Sequence, residues 1–218
     1  MTIRDKQKAL ENQKNFLERI EVYRQYGHDR EKAMNFICEQ ASPFQMPVLE
    51  IGCGKGLTAL ELVKRVPYIV SLDVSAEELS YARLNLSAFG KEDSVCLMRA
   101  DGASLPFTDG SFHTVFMVNA LHHLSDPDPV FSEVERVIDH GGLFVLSDFT
   151  QEGFQIINKV HGLEEKEHNR FTHSMENAVA RLISSGFELI SRQQGHQEDV
   201  SVLRRTPHNP RVRCNPGP

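Results

Sequence analysis

From Met46 onward the chain repeats one pattern, an apolar run followed by a stretch with helical spacing. The runs are "PVLEI", "YIVSLDV", "VCLMRA", "HTVFMVNA" and "GGLFVLSDF". They are almost continuously apolar, so both faces of each strand must be covered. That texture predicts a parallel sheet with helices on its two sides. In such sheets ligands bind beyond the carboxyl ends of the strands. Functional residues are therefore sought where each run stops.

The first run stops at "GCGKG". Gly52, Gly54 and Gly56 stand at alternate positions and helical spacing resumes at once. Glycine admits positive φ and lets a ligand approach the backbone, and a helix start offers unbonded N–H groups. A tight strand-to-helix turn without a ligand would need similar residues. Three further strand ends favour a binding crevice. Asp73 closes the second run, where a carboxylate can accept from both hydroxyls of a ribose. Ser75 already supplies the N-cap of the next helix, so Asp73 is not needed for that. Asp101, before Gly102, follows the third run and can accept from an exocyclic amine. Asn119 ends the fourth.

Upstream, residues 5–26 carry an apolar stripe (Leu10, Phe16, Leu17, Ile20, Tyr23), which predicts a helix with one buried face. A break at "YGHD" separates it from a second helix over Arg30–Gln40. Downstream, helices are expected around 152–161 and 173–185. The second would bury Met175, Val179, Leu182 and Ile183 and be capped by Gly186. "FELISRQ" and "DVSVLRR" read as a hairpin joined by "QGHQE". The Pro-rich residues 207–218 are expected to be disordered. The division is an N-terminal helical cap over 1–44, a main domain over 45–206 and the tail.

Net charge is −6, which gives no global attraction to nucleic acid or anionic membrane. The N-terminus is charged and lacks an apolar signal core, and no stretch is long enough to span a bilayer. The four cysteines are scattered without a CxxC pair, so free thiols, a cytoplasmic location and no structural zinc are expected.

Together, "VLEIGCGKG", "VSLDVS", "ADGASLPFTDGSFHTVFMVNALHHL" and "GGLFVLSD" resemble the motifs of class I S-adenosylmethionine-dependent methyltransferases. The resemblance is to the ubiquinone/menaquinone-biosynthesis-like branch, methyltransferase type 11. It implies a Rossmann-like, seven-stranded, mostly parallel α/β sheet of order 3-2-1-4-5-7-6 with the last strand antiparallel. It implies S-adenosyl-L-methionine as cofactor. Gly52, Gly54 and Gly56 would wrap its methionine end, and Glu50 would orient the glycine loop or the cofactor's amino group. Asp73 would take the ribose, Val74 would pack on adenine, Asp101 and Gly102 would hold the adenine edge, and Asn119 would lie near the sulfonium. The family usually has Asp at the position of His113, a scaffold position. The chief alternative, an NAD(P)-dependent oxidoreductase, needs Gly-x-Gly-x-x-Gly. Here Leu57 stands where its third glycine belongs. A non-catalytic cofactor-binding protein is the other alternative.

Methyl transfer needs alignment and, for a protonated nucleophile, a base. The fourth strand ends in "NALHHL" and not in Asn/Asp-Pro-Pro-Tyr, which argues against amino groups of nucleobases or glutamine as acceptors. The candidates for catalysis are His122 and His123 beside Asn119, and His161 and His168 in "KVHGLEEKEHNRFTH". Packing and backbone capping would explain the first pair equally. His161, Glu165 and His168 would share a face of an unbroken helix, a spacing that suits a divalent metal, but Gly162 interrupts it. A substrate-facing role without metal is preferred, with Tyr23 and Tyr26 lining the other side of a lid. The expected acceptor is a small molecule, and a homodimer is compatible with the sequence.

Overall fold

The computed structural model describes residues 3–162 and 173–207. Glu165, His168 and the tail beyond Pro207 lie outside these residues.

Seven strands form one sheet: β1 (Val48–Ile51), β2 (Ile69–Asp73), β3 (Val95–Arg99), β4 (Phe112–Val118), β5 (Ile138–Phe149), β6 (Phe187–Gly195) and β7 (Glu198–Arg205). Their order is β3-β2-β1-β4-β5-β7-β6. Neighbours from β3 to β5 are parallel, and β7 runs antiparallel to both β5 and β6. The dinucleotide-binding order is 3-2-1-4-5-6, without an inserted antiparallel strand.

Strand alternation divides the core. Leu49, Val115, Met117, Phe144 and Leu146 face one side, with residues of α5 (Asp128–Val137) and α7 (Met175–Ser184). Val48, Phe116 and Val145 face the other, with α2 (Arg30–Gln40) and α3 (Leu57–Leu62). Leu86 of α4 (Ala76–Ala88) joins that second side. The sequence assigns α2 to a cap, yet its Ala33, Met34, Ile37 and Cys38 are core residues of this layer. Above the carboxyl ends, α1 (Ile3–Gln25) contacts α4 and α6 (Gln151–Gly162).

Three local expectations are corrected. Leu17 is exposed while Tyr23, on the same predicted stripe, is buried. In α7 the buried set is Met175, Ala178, Val179 and Leu182. Ile183 is 47% exposed; it lies a further step around the helix than the i, i+3, i+4, i+7 face. The hairpin strands run through most of the expected loop and leave a two-residue turn, His196–Gln197, with φ of 53° and 63°. That is the twist-matched primed turn, built here without glycine at either central position. Ser75 caps α4 as expected, accepting from Glu78 N, and Gly186 follows α7 with φ of 107°.

Candidate active site

A cavity of about 750 Å³ opens at the carboxyl ends of β1 to β5 under α1. Its floor is the glycine turn. Gly52 has φ of 79°, and a Cβ there would stand 2.8 Å from the Ala120 Cβ. Backbone strain and a side-chain collision both demand glycine. Gly56, with φ of 82°, occupies the N-cap of α3. The turn is tied to β2 by Gly52 N and Cys53 N, which donate to Leu72 O.

Asp73 stands beside that turn. Its Oδ2 accepts from Gly54 N at 2.8 Å and its Oδ1 from Ser75 N at 2.9 Å. Each carboxylate oxygen keeps a second lone pair. Val74, next along, is 63% exposed and lines the cavity. Asp101 is exposed; its Oδ1 accepts from Ala103 N at 2.9 Å. A Cβ on Gly102 would meet Ile51 Cγ2 at 3.1 Å. All four residues border the same cavity.

Glu50 does not line it. Strand alternation turns Glu50 toward the α2–α3 layer, level with Ser71 of β2, whose hydroxyl donates to its carboxyl. Burial pushes the carboxyl up to about 7. The side chain sits beneath the glycine turn, outside the cavity lining, on the loop-supporting side of the expectation. Cys53 is buried, as filler, and burial raises its thiol pKa. His113 pairs at the surface with Asp139, away from the cavity.

The opposite wall is polar. Asn119 follows the last residue of β4, with φ of 52°. Its Nδ2 donates to Glu198 Oε1 at 3.1 Å. Glu198 is fully buried at the start of β7 and also accepts from Ser147 Oγ at 3.1 Å. Burial lifts its carboxyl to about 8. His122 is buried, and its Nδ1 lies 2.7 Å from Asp148 Oδ1. The carboxylate only accepts, so Nδ1 carries the proton and Nε2 the lone pair. Asp148 Oδ2 also accepts from His122 N, which locks the pair. His123 lies 4.0 Å from the His122 ring, and burial, then His122, lowers its pKa.

His161 lines the cavity from α6. Its Nε2 lies 2.7 Å from Tyr23 Oη and 2.9 Å from Arg19 Nη2. A guanidinium only donates, so Nε2 accepts. Tyr26 does not line the cavity; its ring lies under Lys159. Among the described residues no group of His, Cys, Asp and Glu could hold a metal ion. No helix among them is long and apolar enough to cross a membrane.

The strand-end argument thus finds Gly52, Asp73, Asp101 and Asn119. It misses Asp148, which ends the fifth run and carries the same signal inside "VLSDF". Glu198 and Arg30 have no local signal, because tertiary packing brings Arg30 to the cavity and Glu198 behind Asn119.

Fold and site define a class I methyltransferase domain, and comparison with known proteins agrees. Residues 49–146 match the family described as a methyltransferase domain, and this segment belongs to that class. The match does not single out the quinone-biosynthesis branch. The 27-O-demethylrifamycin SV methyltransferase of Amycolatopsis mediterranei is 34% identical over 164 residues, covering 72% of this chain and 58% of that protein. The sterol 24-C-methyltransferase ERG6B of Gibberella zeae is 25% identical over 170 residues, covering 72% and 42%. The chain therefore spans about half the length of these relatives. A SAM-dependent methyltransferase from Aquifex aeolicus superposes with a TM-score of 0.61 at 19% identity, covering 83% of this chain and 91% of that one. The [4+2]-cyclase SpnF superposes with 0.64 at 17% identity, covering 80% and 81%. Likeness at this distance establishes the fold and not the reaction.

Proposed function

We propose that this protein transfers the methyl group of S-adenosyl-L-methionine to a small-molecule acceptor bearing a removable proton, such as a hydroxyl. One juxtaposition carries the reading. Carboxylates stand at the end of β2 and just past β3 on one side of the cavity, and His122, paired with Asp148, lines its other side. Binding and chemistry would then share one crevice.

The residues fit the cofactor. The cradle at Gly52 excludes even a Cβ, Asp73 has lone pairs for a diol, and Asp101 has an uncommitted edge for an amine. When bound, the cofactor supplies a methyl carbon already activated for displacement by its sulfonium. The chain contributes alignment, exclusion of water and a base. His122 Nε2 would take the acceptor's proton, while Asp148 holds the tautomer and stabilises the imidazolium that forms. His161 would instead brace the cap, since its Nε2 lone pair is taken by Arg19 and Tyr23. The apolar wall of Ile20, Ile157 and Phe149 suits an acceptor with a hydrocarbon body. Relatives named for rifamycin and sterol substrates support an acceptor of that kind.

The test is S-adenosylhomocysteine formation across a panel of hydroxylated aromatic, terpenoid and polyketide acceptors. With an acceptor in hand, His122→Ala and Asp148→Asn should lower kcat by about a hundredfold or more. Their affinity for S-adenosylhomocysteine should stay unchanged. Undiminished kcat in His122→Ala would remove the base assignment. Cofactor binding without turnover on any acceptor would favour a non-catalytic binding protein.

A further inference from the structure

β6 is the outermost strand of the sheet, with β7 on one side and no strand on the other among the described residues. Such an edge pairs readily with another chain, and proteins usually blunt it with charges, proline or a bulge. β6 contains no proline. It does have a bulge: the register with β7 slips between Leu189 and Ser191, which leaves Ile190 without a partner there. The bulge therefore presents an apolar residue and not a charge. Leu189 is 38% exposed and Ile190 42%. Ile183, also exposed, sits on the last turn of α7, which packs against β6. Single exposed apolar side chains are ordinary, but neighbouring ones at a sheet edge mark an interaction surface.

The charges that flank Leu189 and Ile190 say what covers them. Glu188 is exposed and forms no ion pair among the described residues. Arg192 uses its Nε and Nη2 to donate to Asp199 and Glu176. The two N–H groups on its Nη1 stay uncommitted. A two-fold contact presents the same patch on both copies, so the patch must complement itself. Residues 188–192 do so: acid, Leu, Ile, Ser, base. With two copies antiparallel and Ile190 on the axis, Ile190 meets Ile190, Leu189 meets Ser191, and Glu188 meets Arg192 at both ends. An axis between Leu189 and Ile190 would set Glu188 against Ser191 and Arg192 against Phe187, leaving both charges unmatched. A foreign partner would not call for a segment that is its own complement. Residues 208–218 of the chain carry Pro210, Pro216 and Pro218, which have no N–H to add to a ladder.

We infer that two copies of this chain associate through their β6 edges, antiparallel about a two-fold axis at Ile190, with Glu188 of each copy paired to Arg192 of the other. No residue of β6 or α7 lines the cavity, so both cavities stay open in the dimer. The contact is independent of the methyltransferase reading.

The experiment is sedimentation velocity on the full chain across the micromolar range, where a concentration-dependent dimer is expected. Ile190→Glu, which sets like charges on the axis, should leave only monomer. Glu188→Lys should weaken the dimer by about tenfold or more, because like charges then face each other at both ends. Both positions are exposed, and unchanged far-UV circular dichroism will show that the variants fold; should Ile190→Glu not fold, Ile190→Thr takes its place. The axis is tested by oxidative cross-linking in a Cys96→Ser, Cys214→Ser background, where the remaining cysteines, Cys38 and Cys53, are buried. Ile190→Cys should form a disulfide-linked dimer and Leu189→Cys should form far less, since only facing residues meet the required geometry. A chain that stays monomeric throughout, or a dimer indifferent to both charge variants, would overturn the proposal. Equal cross-linking at the two positions would overturn the axis. A dimer seen only after residues 208–218 are removed would overturn it in favour of the chain's own tail as the occupant.

Discussion

Asp73 holds the glycine turn and lines the cavity with one carboxylate. It receives Gly54 N and Ser75 N, so it shapes the glycine turn and the start of α4 even before a ligand arrives. Asp73→Ala should weaken S-adenosylhomocysteine by about 1–3 kcal/mol, as expected when a charged partner is removed. Calorimetry measures it directly, and unchanged affinity would remove Asp73 from the ribose. Its place at the cavity was legible in the sequence because it follows from position alone: an acid where an apolar run stops. Asn119 and the glycines were legible for the same reason. For Glu50 the run does not show which face the residue takes, so it leaves open whether the side chain supports the glycine loop or reaches the crevice. Alternation along β1 puts it under the turn, against Ser71. Arg30 was invisible, since nothing near it in sequence says that α2 will lay it beside a β7 glutamate.

At the scale of elements, the alternation of apolar runs and helical spacing disclosed the first five strands and their parallel character, and the hairpin signals disclosed the last two. Two details depended on tertiary forces. The β6–β7 hairpin is tighter than its composition suggests. Arg192 on β6 pairs with Asp199 on β7 at 2.6 Å, and the ladder continues to the Gly195–Glu198 pair. Cross-strand pairing, and not a turn glycine, sets the loop length. The N-terminal helices also divide their work. α1 roofs the cavity, while α2 is a core element whose Ile37 and Cys38 pack with β1 and β4 residues. Periodicity reports that a helix has a buried face but not what that face covers.

For the molecule as a whole, Glu198, Glu50 and His28, buried among the described residues, tie stability to pH near neutrality. Burial lifts Glu198 to about 8 and Glu50 to about 7, and lowers His28 to about 4. The two carboxyls bind protons more tightly folded than unfolded. Each therefore stabilises fully below the ordinary glutamate value near 4.5, and that stability is lost as pH rises through the folded value. His28 acts oppositely between about 4 and 6.5, where the unfolded chain binds the extra proton. Below pH 6.5 the effects partly cancel. Above it only the carboxyls remain, and from about 7 to 8 the decline is that of Glu198. Around Glu198 stand Asn119, Ser147, Asp148, His28 and Arg30. Denaturant unfolding of Glu198→Gln should therefore show a flatter stability profile between pH 7 and 8 than the parent protein. An unchanged slope would mean that Glu198 is ionised in the fold.

The central claim is that this crevice is built for a sulfonium nucleoside carrying an amino acid. Calorimetric titration of the full chain with S-adenosylmethionine, S-adenosylhomocysteine and NAD(H), side by side, tests it most directly. The account predicts stoichiometric binding of the first two and none of the third. Binding of NAD(H) alone would leave the fold standing and contradict the function.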